Sequence, residues 1–145
     1  MKVFRFMCNE EFNKYMNGYT LTNTTIHVGK TNSVGFCFLS LDDVSPEEAM
    51  HFLSGIVSFN VCAVFETDIP LTESYGIYAK PIERTYDDSI DLLNLLLHYN
   101  EQFKQTEYCI DTYNKDTFKL LKYSTDIWEQ WNLPQNQKKL TWKGA

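Results

Sequence analysis

The sequence predicts a single α+β domain in which a mixed sheet is flanked by helices. The chain has 145 residues, 43% hydrophobic and 22% charged, as expected for one domain with an apolar core. The strand-like segments 60–66 and 74–82 lie too close together for a helical crossover, which favours a mixed sheet over a doubly wound parallel one. No linker divides the chain, so we expect a globular domain over 1–134 and a polar tail over 135–145.

In the first half of the chain, apolar runs and capping residues indicate the elements. Asn9 can cap a helix, and Gly18 can end it because glycine readily takes left-handed backbone. Ser45, Pro46 and Glu48 form a capping box that predicts a second helix start. The expected elements are a strand over 2–7, a helix over 9–17, a strand or extended loop over 21–28, a strand over 34–41 and the helix after Ser45.

In the second half, apolar runs again alternate with turn residues. A turn at 68–70 separates two of the strands, and five leucines between 92 and 97 indicate a buried helix face. The expected elements are strands over 60–66 and 74–82, a helix over 87–103, a strand over 108–112, a helix over 115–123 and a helical turn over 125–131.

The composition excludes several classes of protein. The net charge is −6 and the pI is about 5.0, which argues against a general nucleic-acid binder, because phosphate contacts require clustered basic residues. The sequence has no apolar run of membrane-spanning length and no secretory leader pattern, so we expect a cytoplasmic protein without a membrane partner.

The cysteines indicate a reduced compartment. They are far apart in sequence, form no Cys-x-x-Cys pair and have no histidine at ligand spacing, so we expect no structural metal. Three of them lie inside apolar strand-like runs, where a thiol behaves as a small hydrophobic group. We therefore predict that these three are buried and unbridged: Cys37, Cys62 and Cys109.

The sequence contains none of the common nucleotide-binding or hydrolase motifs. The candidate functional residues are therefore an arginine on the first predicted strand and a glutamate at the start of a late predicted strand. Arg5 stands in Val3-Phe4-Arg5-Phe6, and Glu107 follows Gln105-Thr106. In this order of elements the chain resembles the ADP-ribosyltransferase superfamily, in particular its small single-domain members. The matching segments also include Gly35-Phe36-Cys37-Phe38 and Pro46-Glu47-Glu48-Ala49, whereas the family's Ser-Thr-Ser strand is missing.

The resemblance implies NAD as cofactor and transfer of ADP-ribose to an unknown protein or nucleic-acid acceptor, as in a phage or bacterial effector or counter-defence enzyme. Glu107 would be the catalytic carboxylate that stabilises an oxocarbenium-like state, and Gln105 would address the acceptor. The strands of Arg5 and Glu107 would be neighbours facing one pocket. The cofactor-binding residues would be Arg5 on the phosphates, His27 or Ser33 at the nicotinamide ribose, and Phe36, Phe38 or Tyr78 stacked on the nicotinamide.

A second interpretation is a non-enzymatic inhibitor that mimics nucleic acid. Acidic pairs at 42–43, 47–48 and 87–88 could form a face that occupies a basic groove of a nucleic-acid enzyme, as in anti-CRISPR-like proteins. Simpler roles also remain open: Arg5 as a surface charge, Glu107 as a polar strand start, and Phe36 and Phe38 as core residues. A cleft joining Arg5 and Glu107 would favour the enzyme, and a flat acidic face would favour the inhibitor.

Overall fold

The computed structural model of the chain describes residues 1–22, 36–50, 59–74, 107–131 and 133–145. Most of the predicted strand over 74–82, the predicted helix over 87–103, and His27, Ser33, Tyr78 and Gln105 lie outside these ranges. Of Glu107 only the backbone is described. Within the described ranges, no helix has both the length and the apolar character needed to cross a membrane.

The described residues form an α+β fold, which confirms the predicted class. Every strand pairing among them is antiparallel, so the expected mixed sheet is not seen in this part of the chain. A seven-stranded sheet has the order β5-β6-β3-β1-β4-β8-β9, and β2 pairs with β7 in a separate ribbon. The strands are β1 (Lys2–Met7), β2 (Leu21–Thr22), β3 (Phe36–Ser40), β4 (Val61–Thr67), β5 (Thr72–Ser74), β6 (Glu107–Ile110), β7 (Thr112–Tyr113), β8 (Phe118–Ser124) and β9 (Lys143–Gly144). The helices are α1 (Asn9–Met16), α2 (Pro46–Ala49), α3 (Ile127–Trp131) and a 3-10 turn (Gln135–Gln137).

Both faces of the large sheet are covered, which explains why its central strands are apolar at nearly every position. We call the two sides the α1 face and the α2 face, after the helix that packs on each. Each fully buried aliphatic or aromatic side chain contributes roughly 1.5–3 kcal/mol to folding. The α1 face includes Val3, Met7, Phe12, Tyr15, Phe36, Phe38, Phe65, Tyr113 and Phe118. The α2 face includes Phe4, Phe6, Leu39, Val44, Ala49, Met50, Cys62, Val64, Ile127 and Leu140.

The ends of α1 are close to the predicted positions, but its cap is not Asn9. Cys8 is the N-cap, and its Sγ accepts a hydrogen bond from the backbone N–H of Glu11 at 3.5 Å. Gly18 has φ +83°, which confirms the predicted left-handed position. There its N–H donates to the Tyr15 carbonyl at 3.1 Å, so the last turn of the helix is satisfied.

The structure confirms Ser45 as the N-cap of α2. Ser45 Oγ accepts the backbone N–H of Glu48 at 3.1 Å, and Pro46 occupies the start of the helix, where its missing N–H costs nothing. Ala49 is fully buried and anchors this helix on the α2 face.

The predicted helix over 115–123 is wrong, because most of this segment is strand β8. Asn114 first forms a tight turn, in which its Oδ1 accepts the backbone N–H of Asp116 at 2.9 Å. β8 then pairs with β4 through a bulge, since Val64 matches Lys122 while Phe65 matches Leu120. The bulge interrupts the two-residue alternation of apolar side chains that would have indicated a strand.

Other elements differ from the expectation in detail. The predicted strand over 108–112 is divided between β6 and β7, which belong to different sheets. The segment 135–145, expected as a polar tail, packs on the domain: β9 pairs with β8, and Leu140 is only 4% exposed. Trp142 packs against the α2 face, where Lys122 Nζ lies 4.5 Å from the centre of its ring.

Candidate functional site

A buried ion pair joins the first strand to the first helix on the α1 face. Arg5 Nε and Nη2 donate to Glu11 Oε2 at 2.7 Å and Oε1 at 2.9 Å, a bidentate geometry. The Glu11 side chain is fully buried and that of Arg5 is 11% exposed. A third guanidinium N–H, on Nη1, donates to the carbonyl of Cys37 on β3 at 3.1 Å. The arginine therefore fixes α1 and β3 to the central strand.

Tyr113 completes this network from the small ribbon. Its hydroxyl donates to Glu11 Oε2 at 2.7 Å, so the carboxylate accepts three hydrogen bonds from two side chains. The Tyr113 ring packs edge-on against Phe36 and Phe38, with ring centres 5.1 and 5.5 Å away. Within the ribbon, a side-chain hydrogen bond joins β7 to β2: Thr112 Oγ1 donates to the Leu21 carbonyl at 2.8 Å.

Burial and the contact with Glu11 change the pKa values of Arg5 and Tyr113. Desolvation disfavours the charged guanidinium, but the Glu11 carboxylate more than offsets this and raises the pKa of Arg5 well above its ordinary value. Burial also raises the pKa of Tyr113 well above that of a free phenol, and the negative charge of Glu11 raises it further. At neutral pH Arg5 is therefore charged and Tyr113 is neutral.

Phe36 and Phe38, which the resemblance places against nicotinamide, lie in the core of the α1 face. They are 3% and 0% exposed. The Arg5 guanidinium carbon lies 5.2 Å from the centre of the Phe36 ring and 6.0 Å from that of Phe38, within the range of cation–π attraction. The two rings therefore shield the ion pair from water.

Glu107 begins β6, as the sequence predicts, but the expectation that its strand neighbours that of Arg5 is wrong. β3 lies between them and pairs antiparallel with both. Two strand spacings put the backbones of β1 and β6 about 10 Å apart. Glu107 pairs with Leu39, which in turn pairs with Phe4. Its register position therefore belongs to the row of the α2 face, whereas Arg5 lies on the α1 face.

A group of exposed carboxylates lies around Tyr108 of β6, the strand between β3 and β5. We call Asp42, Asp43, Glu73 and the Tyr108 hydroxyl the acidic surface. Partial burial raises the pKa of Tyr108, and the negative charges of Asp43, Glu73 and Asp42 raise it further, in that order. All three carboxylates are exposed. Among the described residues, neither of the two ion pairs includes any of them.

Backbone hydrogen bonds fix the positions of these carboxylates. Ser40 is buried at the end of β3, and its Oγ accepts the N–H of Asp42 while its carbonyl accepts that of Asp43, each at 3.1 Å. Glu73 is held by β5, where it pairs with Tyr108. The carboxylates are therefore brought together by the sheet and a hydrogen-bonded turn.

Two residues of the buried network, Glu11 and Tyr113, were not among the predicted site residues. The sequence does contain a signal for Glu11, because it precedes Tyr15 by four residues and so lies on the same face of α1 as that apolar position. An ionisable residue on a helix stripe that faces the core, next to an arginine on an apolar strand, indicates a buried pair. Tyr113 has no comparable local signal, because its position depends on the ribbon.

Comparisons with protein-family models, with curated proteins and with solved structures found no match to this chain. Within the described residues, no group of three or more histidine, cysteine or acidic side chains is placed to hold a metal ion. The geometry of the described residues therefore carries the functional argument.

We predict that breaking the buried pair costs far more than breaking the exposed one nearby. Glu11→Ala should lower the free energy of unfolding by about 3–5 kcal/mol, because it leaves Arg5 charged and buried without its partner. Glu10→Ala is the matched control: Glu10 is 66% exposed and pairs with Lys14 at 3.5 Å, which is worth about 0.3–0.5 kcal/mol. Urea unfolding measures both.

The double variant Arg5→Met with Glu11→Leu tests whether the loss in Glu11→Ala comes from leaving one charge buried without its partner. It removes both charges, so we expect it to be more stable than Glu11→Ala alone. Equal losses for Glu11→Ala and Glu10→Ala would show that the network does not support the fold.

We predict that stability falls as the pH rises above about 10. The unfolded chain releases the Tyr113 proton near the ordinary pKa of 10.0, whereas the folded chain retains it because burial raises the pKa. Above that pH the unfolded state binds fewer protons, so the free energy of unfolding decreases. Urea unfolding between about pH 8 and 11 measures the slope. Tyr113→Phe should reduce the slope, leaving the part due to the raised pKa values of Cys62, Tyr15 and Tyr108, and Tyr19→Phe, which removes an exposed hydroxyl, is the control.

Proposed function

We propose that this chain is a binding protein whose acidic surface occupies a basic, nucleic-acid-binding surface of another protein. The observation that supports this proposal is the placement of three exposed carboxylates around Tyr108: Glu73 is its strand partner, and Asp42 and Asp43 are held by the turn at the end of β3. Burial raises the pKa of Tyr108, and these negative charges raise it further. Like charges brought together at a surface repel one another, so their proximity does not favour the fold. A basic partner converts that repulsion into attraction.

The charge distribution favours the same role. The Arg5–Glu11 pair is neutral and buried, so the net charge of −6 is carried by the rest of the chain. An acidic surface of this kind steers encounter with a basic groove and lets carboxylates take the places of phosphates. Tyr108 adds a partly exposed aromatic ring at the centre, a residue type that is enriched where protein interfaces bind tightly.

We predict that neutralising this surface abolishes inhibition of a nucleic-acid enzyme. The probe is a panel of restriction and RNA-guided nucleases, assayed by cleavage of labelled DNA with and without the protein. Against a nuclease that wild type inhibits, the triple variant Asp42→Asn, Asp43→Asn, Glu73→Gln should raise the inhibition constant about 10- to 100-fold. Inhibition by wild type should also weaken as salt increases.

The matched control changes the net charge equally at exposed positions elsewhere. It is the triple variant Glu66→Gln, Asp116→Asn, Glu129→Gln. Equal inhibition by the two triple variants would mean that only total charge matters and would reject the surface. No inhibition of any nuclease in the panel by wild type would reject the proposed partner class.

ADP-ribosyl transfer is a second candidate, and one observation favours it. The three strands that carry the family resemblance, β1, β3 and β6, are consecutive in the sheet. Arg5 and Glu107 are two strand spacings apart, about 10 Å, but their register positions belong to opposite faces of the sheet, so one dinucleotide could reach both only around an edge of the sheet. Arg5 is engaged by Glu11 in this structure, so a pyrophosphate would have to displace that carboxylate.

If Glu107 stabilises an oxocarbenium-like state, we expect Glu107→Gln to reduce NAD consumption by about two to four orders of magnitude. NAD affinity should change little, because the substitution keeps the size and hydrogen bonding of the side chain. Chromatography of NAD and its products measures the rate, and calorimetric titration measures the affinity. Glu66→Gln is the control for loss of an exposed carboxylate. A wild-type protein that neither binds nor consumes NAD, alone or with a cell lysate, would reject the transferase.

A further inference from the structure

We propose that Cys37 and Cys109 are a redox modification site, at which a peroxide converts two thiols into a reversible disulfide between β3 and β6. The two residues are direct partners in the antiparallel register of these strands. Their sulfur atoms lie 3.2 Å apart, and no disulfide joins them. This inference is independent of the proposed binding function and of NAD.

The strand geometry already satisfies the requirements of the bond. Directly opposite residues in an antiparallel pair have Cα atoms about 4.5–5.5 Å apart, and disulfides join Cα atoms about 4.4–6.8 Å apart. The sulfurs therefore need to approach by about 1 Å to reach the bond length of roughly 2 Å, which side-chain rotation can supply. No rearrangement of β3 and β6 is required.

The limited exposure of the pair selects the oxidant. Cys37 is 9% exposed and Cys109 is 6% exposed, so a small molecule such as hydrogen peroxide can reach them more readily than a bulky disulfide reagent. One thiol ionises and its thiolate attacks the peroxide: an S–O bond forms, the O–O bond breaks, and the leaving hydroxide takes up the released proton as water, giving a sulfenic acid. The second thiol ionises and attacks that sulfur: the S–S bond forms, the S–O bond breaks, and the leaving hydroxide takes up the second proton as water. Two thiols lose two electrons, and the peroxide is reduced to two waters.

The position of the bond gives it a structural consequence. The two cysteines are 72 residues apart in sequence, so the bond closes a long loop and restricts the unfolded chain. It also covalently attaches β6, which carries Tyr108 and pairs with the short strand β5, to the central part of the sheet. Oxidation should therefore stabilise this edge of the sheet, and a thiol reductant should reverse the effect.

The test uses full-length protein carrying Cys8→Ser, which removes the only one of the four cysteines that is not buried and replaces the capping sulfur with a capping oxygen. After treatment with hydrogen peroxide and alkylation of the remaining thiols, peptide mass spectrometry without reduction should find Cys37 linked to Cys109. The protein should lose two titratable thiols, and its unfolding temperature should rise by about 5–15 °C. Dithiothreitol should reverse both changes.

Single-cysteine variants distinguish the pair from general oxidation. In the same background, Cys109→Ala should leave Cys37 as a sulfenic acid that dimedone traps, with no rise in the unfolding temperature. Cys62→Ala is the matched control, because Cys62 is buried on β4 and should leave the disulfide unaffected. The proposal fails if peroxide leaves the pair unlinked in Cys8→Ser protein, or if the linked peptides come only from disulfide-joined dimers.

Discussion

The buried pair of Arg5 and Glu11 is the interaction on which the arrangement of the α1 face depends. A charged arginine in an apolar core is unfavourable unless its N–H groups find acceptors, and here a carboxylate from α1 and a carbonyl from β3 provide them. The carboxylate in turn positions Tyr113, and with it the ribbon of β2 and β7. An apolar core would tolerate several positions of helix and ribbon, whereas this network specifies one.

Much of the fold was predictable because its signals are local. The cap at Ser45, the left-handed position of Gly18 and the apolar run of β1 each depend on a few neighbouring residues. The burial of Cys37, Cys62 and Cys109 without a bridge also followed from their apolar surroundings in sequence, and the structure confirms it. The burial of Glu11 could also have been predicted from local sequence, because Glu11 lies on the side of α1 that faces the core.

Apart from the cap of α1, the failures depend on contacts between distant parts of the chain. β8 was mistaken for a helix because its alternation is interrupted by a bulge that exists only through pairing with β4. The separation of β1 from β6 reflects the insertion of β3, and no residue of β1 or β6 encodes that order by itself. The same limit applies to the acidic surface, since Glu73 reaches Tyr108 only through the register of β5 on β6.

Charged side chains occur in two contrasting arrangements in this chain, the buried pair of Arg5 and Glu11 and the exposed carboxylates around Tyr108. Arg5 is one of only two arginines, and its planar guanidinium is engaged internally, where bidentate geometry offsets the cost of burial. The carboxylates around Tyr108 have no such partner among the ion pairs of the described residues. In the first arrangement each charge has a buried partner, whereas in the second the like charges repel one another until a cation arrives. An arrangement that is unfavourable alone and favourable with a basic partner is the physical basis for proposing a binding role for the acidic surface and a structural role for the buried pair.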